Sequence, residues 1–163
     1  MNLYQATESD APHMASWLSS LLGHVQTSTN DPYITSVSLS SGHEVEQLMR
    51  SWVTDPKSIV YVFEDDECKQ GFIKAKVTRP FVESASISQV GLIEMLWIEP
   101  EARRRGYAKQ LVRAVEDWFA QQGIGYIDLH YMLGNHEAEE FWQAIGYLPY
   151  HVRSRKTLTI KEQ

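Results

Sequence analysis

Three arginines stand directly before a glycine in RRRGYAKQL, residues 103–111, in a chain whose net charge is −6. After Gly106 the apolar residues Leu111, Val112, Val115, Trp118 and Phe119 recur at helical spacing, so the glycine marks a helix start. Helix starts expose N–H groups that lack internal partners and carry the positive end of the helix dipole, a combination that binds phosphates. Small residues at Gly106 and Ala108 let a diphosphate approach the backbone closely, and Arg103, Arg104 and Arg105 supply countercharge. The alternative is a basic helix start whose arginines are merely solvated. No G-x-x-x-x-G-K-[ST] pattern is present, which excludes a P-loop, and one glycine does not make a dinucleotide fingerprint.

Glu94 is the second residue out of place, lying inside the apolar run LIEMLWI. Strand alternation places Glu94, Leu96 and Ile98 on one face. A carboxylate among apolar residues is costly unless paired or wetted, so it marks a functional group, an edge residue facing solvent, or a partner of a lysine. The histidines and the single cysteine, Cys68, show no metal-ligand spacing, and NHEAEEFW lacks H-E-x-x-H, so no metal is expected. One cysteine allows no internal disulfide and fits a reducing compartment.

The start MNLYQATESD has neither a basic nor an apolar signal region, and no apolar run reaches membrane-spanning length. A cytoplasmic protein with no membrane partner is expected. The acidic balance argues against nucleic-acid binding and tolerates cationic small molecules.

The 163 residues suit one domain, residues 1–163. MNLYQA reads as a strand. ESDAPHMASWLSSLLG reads as a helix that starts around Pro12 and closes at Gly23. Residues 24–42 read mainly as loop, and HEVEQLMRSWV as a second helix. SIVYVFE and GFIKAKVT flank the turn DDECKQ as an antiparallel hairpin, and GLIEMLWIE is a third strand ended by Pro100. After the helix at Gly106 come a strand, YIDLHYM, a helix, HEAEEFWQAIG, with His136 and Glu137 serving its start, and one or two closing strands in YLPYHVRSRKTLTI. Trp52, Trp97, Trp118 and Phe141 fit core stripes. This order describes an α/β (α+β) domain around a mixed, mostly antiparallel sheet flanked by helices.

At this point the chain resembles the GNAT superfamily of acyl-CoA-dependent N-acetyltransferases. Their [QR]-x-x-G-x-[GA] signature is matched by RRRGYA at Arg103, Gly106 and Ala108, and NHEAEEFWQAIGY is similar to their Asn–Ala–aromatic–Gly segment at Asn135, Ala138, Phe141, Gly146 and Tyr147. The resemblance implies acetyl-CoA as cosubstrate and central strands that splay at the acyl-CoA site. It implies that Leu96, Trp97 and Ile98 line the cofactor arm, with the Leu96 N–H polarising the thioester. Residues 104–109 (Arg104, Arg105, Gly106, Tyr107, Ala108 and Lys109), with Arg103, would hold the diphosphate. Asn135 and Trp142 would touch the arm, and Glu94 would be the base that frees the acceptor amine, through water. Trp142 stands where many relatives carry a proton-donating tyrosine, and Tyr131, Tyr147 and Tyr150 are alternatives in that region.

Residues 79–106 further resemble aminoglycoside 6′-N-acetyltransferases, with Phe81, Val82, Glu83, Val90, Gly91 and Glu94 in register. His130 stands where those enzymes tend to carry an Asp. Phe81, Glu83 and His130 would then contact the acceptor, a primary amine on a cationic small molecule of aminoglycoside or polyamine type. The rival readings are acetylation of a protein lysine or N-terminus, and a non-catalytic acyl-CoA sensor. A homodimer is expected by analogy.

Overall fold

The computed structural model describes residues 1–83 and 86–158. Five strands form one sheet in sequence order: β1 (Asn2–Gln5), β2 (Ser58–Asp65), β3 (Cys68–Thr78), β4 (Val90–Ile98) and β5 (Ile127–Leu129). The first four pair antiparallel, and β5 joins β4 in parallel. Helices α1 (Ala11–Thr27), α2 (Pro32–Ser36) and α3 (Gly42–Thr54) precede the hairpin, and α4 (Tyr107–Gln121) and α5 (His136–Ala144) flank β5 in sequence.

Both faces of the sheet are covered, as the mostly apolar runs of β2, β3 and β4 require. On one face Ile59, Phe63, Ile73, Ala75 and Ile93 pack against the predicted stripe of α4, with Leu111, Val112, Val115 and Phe119 all buried. On the other, Val60, Val62, Phe72 and Trp97 meet Met14, Trp17 and Leu18 of α1 and Val45 and Met49 of α3. Trp17 fastens α1 to the end of β4, stacking on Phe72 at 5.6 Å and donating from Nε1 to Glu99 at 2.7 Å. Asp10, 2% exposed, ties the start of α1 to β3 and β1 by accepting from Lys69 (2.6 Å) and from the Tyr4 hydroxyl (3.0 Å).

Several expected boundaries move. Gly23 does not stop α1, which runs on to Thr27 and closes when the Ser28 N–H bonds back to His24 and Val25. Residues 24–42 are not mainly loop. Asp31 caps α2 by accepting from the N–H groups of Tyr33 and Ile34, with Pro32 at its first position, so Asn-Asp-Pro is a helix start. The hairpin turn is two residues, Asp66 and Glu67, both at positive φ (50° and 61°), as a mirror-image turn between twisted strands demands. The strand in YIDLHYM shrinks to Ile127–Leu129. Residues 148–158 carry no strand, and 159–160 of the expected closing strand lie outside the described residues.

Gly71 lies where β3 presses on β4: a Cβ there would come within 2.2 Å of the Trp97 carbonyl oxygen. Backbone cannot yield as a side-chain tip can. Gly71→Ala is therefore expected to cost about 3 kcal/mol in urea unfolding, and an unchanged midpoint would contradict this packing.

Candidate active site

β4 and β5 stay paired for only three residues, Gly91–Ile127 to Ile93–Leu129, and then part. The gap opens into a cleft of about 810 Å³ walled by the end of α1, by β4, by the start of α4, and by the β5–α5 segment. Gly134 closes one end against α1, where a Cβ would stand 2.8 Å from the Ser28 carbonyl oxygen.

The parting leaves backbone groups without a ladder. The Glu99 N–H donates to the Gln70 oxygen at 2.8 Å, and Gly71–Ile98, Phe72–Trp97 and Ile73–Leu96 follow in the same register. Antiparallel bonding alternates, so Trp97 bonds to β3 while Leu96 and Ile98 turn their N–H and C=O groups toward the gap. Among the residues expected at a cofactor arm, Leu96, Trp97, Ile98, Asn135 and Trp142 all line the cleft. Trp142 is 6% exposed and packs edge-on to Tyr147, and Asn135 caps α5 by accepting from the Ala138 N–H at 3.2 Å.

At the start of α4, Arg104 (φ 63°) and Gly106 (φ 84°) both take the left-handed conformation, and the first N–H groups of the helix beyond them lack internal partners. A Cβ at Gly106 would meet nothing within 4 Å, so the space in front of that turn is open. Arg104, Gly106, Tyr107, Ala108 and Lys109 line the cleft, and Arg105 does not. The Tyr107 side chain turns inward to stack on Phe63 at 4.2 Å, leaving its backbone N–H as the group available to a ligand. Open space, unpaired N–H groups and exposed cations fit the diphosphate of an acyl-CoA, and the gap-facing groups of Leu96 and Ile98 fit its amide-bearing arm.

Glu94 does not share a face with Leu96 and Ile98. Lys74 pairs with Met95 and Ala75 with Ile93, so Glu94 is an extra residue, a bulge that resets the alternation. Leu96 and Ile98 pack toward α4, Met95 and Trp97 toward α1 and α3. The Glu94 carboxylate lies on the α1/α3 face, paired through Oε2 with Lys74 and through Oε1 with Lys76 at 2.6 Å. Lys74 is 5% exposed, under the Trp52 ring at 4.9 Å. Pairing with a lysine, one of the readings of Glu94 from sequence, is what the structure shows, and FIKAKV names the lysines: in an antiparallel pair, alternate lysines of one strand can face the lone carboxylate of the next.

Two of the three expected acceptor residues, Phe81 and His130, pack on the same ring, His151, and Glu83 does not join them. His130 lines the cleft. Phe81 does not line the cleft itself but stacks at 4.5 Å on His151 of the tail, which stands edge-on to His130 at 6.5 Å. Glu83 is 84% exposed in its side chain and stands 4.0 Å from Arg79. Of the three tyrosines near Trp142, Tyr131 lines the cleft. The Tyr147 hydroxyl donates to Glu116 at 2.9 Å, and burial with that bond pushes its pKa above the usual tyrosine range. Tyr150 donates to Asp128 at 3.2 Å. Leu21, His24 and Val25 of α1 also wall the cleft, which the reading of 24–42 as loop could not show. Among the described residues no helix is long and apolar enough to cross a membrane.

Comparison with known proteins places this geometry. The chain is 30% identical over 77 residues to an aminoglycoside N(6′)-acetyltransferase type 1 of Salmonella typhimurium, a match covering 47% of this chain and 53% of that protein. The chain thus spans about half the length of the curated relatives it matches. A crystal structure of an aminoglycoside 6′-N-acetyltransferase from Acinetobacter haemolyticus superposes with a TM-score of 0.72 at 19% identity, covering 99% of this chain and all of that one. An aminoglycoside N-acetyltransferase solved in complex with CoA superposes with a TM-score of 0.75 at 18% identity, covering 96% of this chain and 95% of that one. These two likenesses are of fold. The sequence profile of the acetyltransferase (GNAT) family matches residues 27–147, and the chain belongs to that family.

Proposed function

We propose that the chain is an acetyl-CoA-dependent N-acetyltransferase whose acceptor is a primary amine of a cationic small molecule, aminoglycoside-like or a polyamine. The observation that carries the cosubstrate reading is the parting of β4 from β5 beside the α4 turn, which sets unpaired backbone donors next to an open, cationic helix start. The acceptor reading draws on the names of the relatives and on the acidic net charge. Dimerisation remains part of the proposal by analogy with relatives.

Acetyl-CoA supplies the activated acetyl group. Residues 104–109 hold the diphosphate through backbone N–H groups, with Arg104 and Lys109 as countercharge. The Leu96 N–H donates to the thioester oxygen, where negative charge develops during attack. A preorganised donor of this kind is worth roughly a hundredfold or more in rate. The acceptor amine must lose a proton before it attacks, and Glu94 takes it, directly or through water. The C–N bond forms as the C–S bond breaks, and coenzyme A leaves as a thiolate that takes its proton from water. Lys76, 35% exposed in its side chain, is the partner that turns aside to free Oε1, while buried Lys74 keeps Oε2.

The occupied carboxylate is also the observation favouring a second reading, a non-catalytic acyl-CoA sensor. Glu94→Gln separates the two. The enzyme reading expects coenzyme A affinity within twofold of the parent and turnover down about 100-fold, measured as coenzyme A release across aminoglycosides, polyamines, amino acids and short peptides. A peptide as the sole acceptor would replace the small-cation reading. Turnover unchanged in the variant would remove Glu94 from the mechanism.

Burial, then the neighbouring Lys76 cation, push the Lys74 ammonium down to about 8, against the pull of Asp55. A lysine whose folded pKa lies below its unfolded value opposes folding while charged. That opposition is present below pH 8 and fades as pH rises toward the unfolded value near ~10.4. Followed by its 13Cε shift, Lys74 is expected to titrate near 8, and stability to rise from pH 8 to 10 by a step that Lys74→Met lacks. A midpoint of 10 or more would show that the Glu94 carboxylate outweighs burial.

A further inference from the structure

Arg103 is held by three contacts at the cleft. Its Nε donates to the Ile98 carbonyl at 3.1 Å, its Nη1 to Glu137 Oε2 at 3.0 Å, and its guanidinium lies 5.0 Å from the centre of the Trp97 ring. Glu137 sits on the first turn of α5, and the same oxygen stands 3.9 Å from His24 Nε2 of α1. The chain Ile98–Arg103–Glu137 therefore spans the open end of the gap, from the last residue of β4 to α5. Ile98 is one of the two β4 residues whose backbone faces that gap, and Arg103 covers its carbonyl.

A carboxylate and a phosphate compete for one guanidinium fork, because both offer paired anionic oxygens to the same donors. We infer that Glu137 is a positioning residue that holds Arg103 in reserve and acts as a built-in competitor for the diphosphate of coenzyme A. Binding exchanges the Glu137 carboxylate for diphosphate oxygens at Arg103 and uncovers the Ile98 carbonyl for the cofactor arm. Release of coenzyme A returns Arg103 to Glu137. The ion pair thus lowers affinity for both cosubstrate and product, and its gain is faster product release. Arg103 and Glu137 are 25% and 45% exposed in their side chains, so the exchange breaks no buried pair. The inference rests on the acyl-CoA reading of the cleft.

Calorimetric titration with coenzyme A tests it. Glu137→Gln is expected to tighten the dissociation constant five- to twentyfold. Glu140→Gln, which removes an equal charge from the same cleft wall, should change it less than twofold. Arg103→Met should weaken binding at least tenfold, and adding Glu137→Gln to it should then give no gain. Arg103→Lys serves as the second background if the methionine variant melts early. Equal tightening by the two glutamine variants would reduce the effect to general charge repulsion and overturn the inference. So would a gain that survives loss of Arg103, or weaker binding in Glu137→Gln. No binding by the parent protein at millimolar coenzyme A would instead overturn the acyl-CoA reading itself, and the inference with it.

Discussion

A strand that ends its pairing early leaves polar backbone groups that folding cannot satisfy, and the site depends on that constraint. β5 stays with β4 for three residues, and beyond Ile93 the N–H and C=O of Leu96 and the N–H of Ile98 have a gap where a neighbour would be, while Arg103 covers the Ile98 carbonyl. Unpaired backbone groups in a fold's interior are expensive, and water or a ligand must complete them. The surrounding elements keep the gap from collapsing. Trp17 and Glu99 anchor α1 at the end of β4, Gly134 lets the β5–α5 segment close on Ser28, and α4 is packed from below by Phe63 on Tyr107.

The sheet also divides the chemistry between its two faces. Leu96, Ile98 and the α4 turn serve one side, and the bulge at Glu94 delivers the carboxylate to the other. One extra residue thus separates the groups that would hold an acyl-CoA from the group that would receive a proton. Both sides neutralise their charges internally, Glu94 with Lys74 and Lys76, Arg103 with Glu137. Such pairs keep the free protein from exposing bare charge in a cleft. They also set what an incoming ligand has to displace.

The elements were legible where periodicity was strong and a single rule applied. The α4 stripe, the hairpin and the Gly106 start are set by local pattern, and the structure follows them. Gly23 misleads because a glycine closes a helix only when it turns left-handed, and Asp31-Pro32, inside the expected loop of 24–42, is a helix cap. The bulge at Glu94 was invisible, because register slips depend on two strands at once and alternation along one strand assumes there is none. The same non-local cause hid Lys74 and Lys76 as partners and Glu137 as the holder of Arg103. Phe81 and Glu83 rest on resemblance alone; Phe81 reaches the cleft wall only through His151 and His130, a contact between segments far apart in sequence, and Glu83 stays exposed beside Arg79.

The most direct test of this account is amide hydrogen exchange at Leu96 and Trp97, adjacent residues of one buried strand. The Trp97 amide bonds to Phe72 and the Leu96 amide faces the gap, so Leu96 is expected to exchange far faster in the free protein and to slow when coenzyme A is added. Leu96 protected as strongly as Trp97 without ligand would mean that its N–H already has a partner, and the reading of the parted strands as a cofactor site would be contradicted.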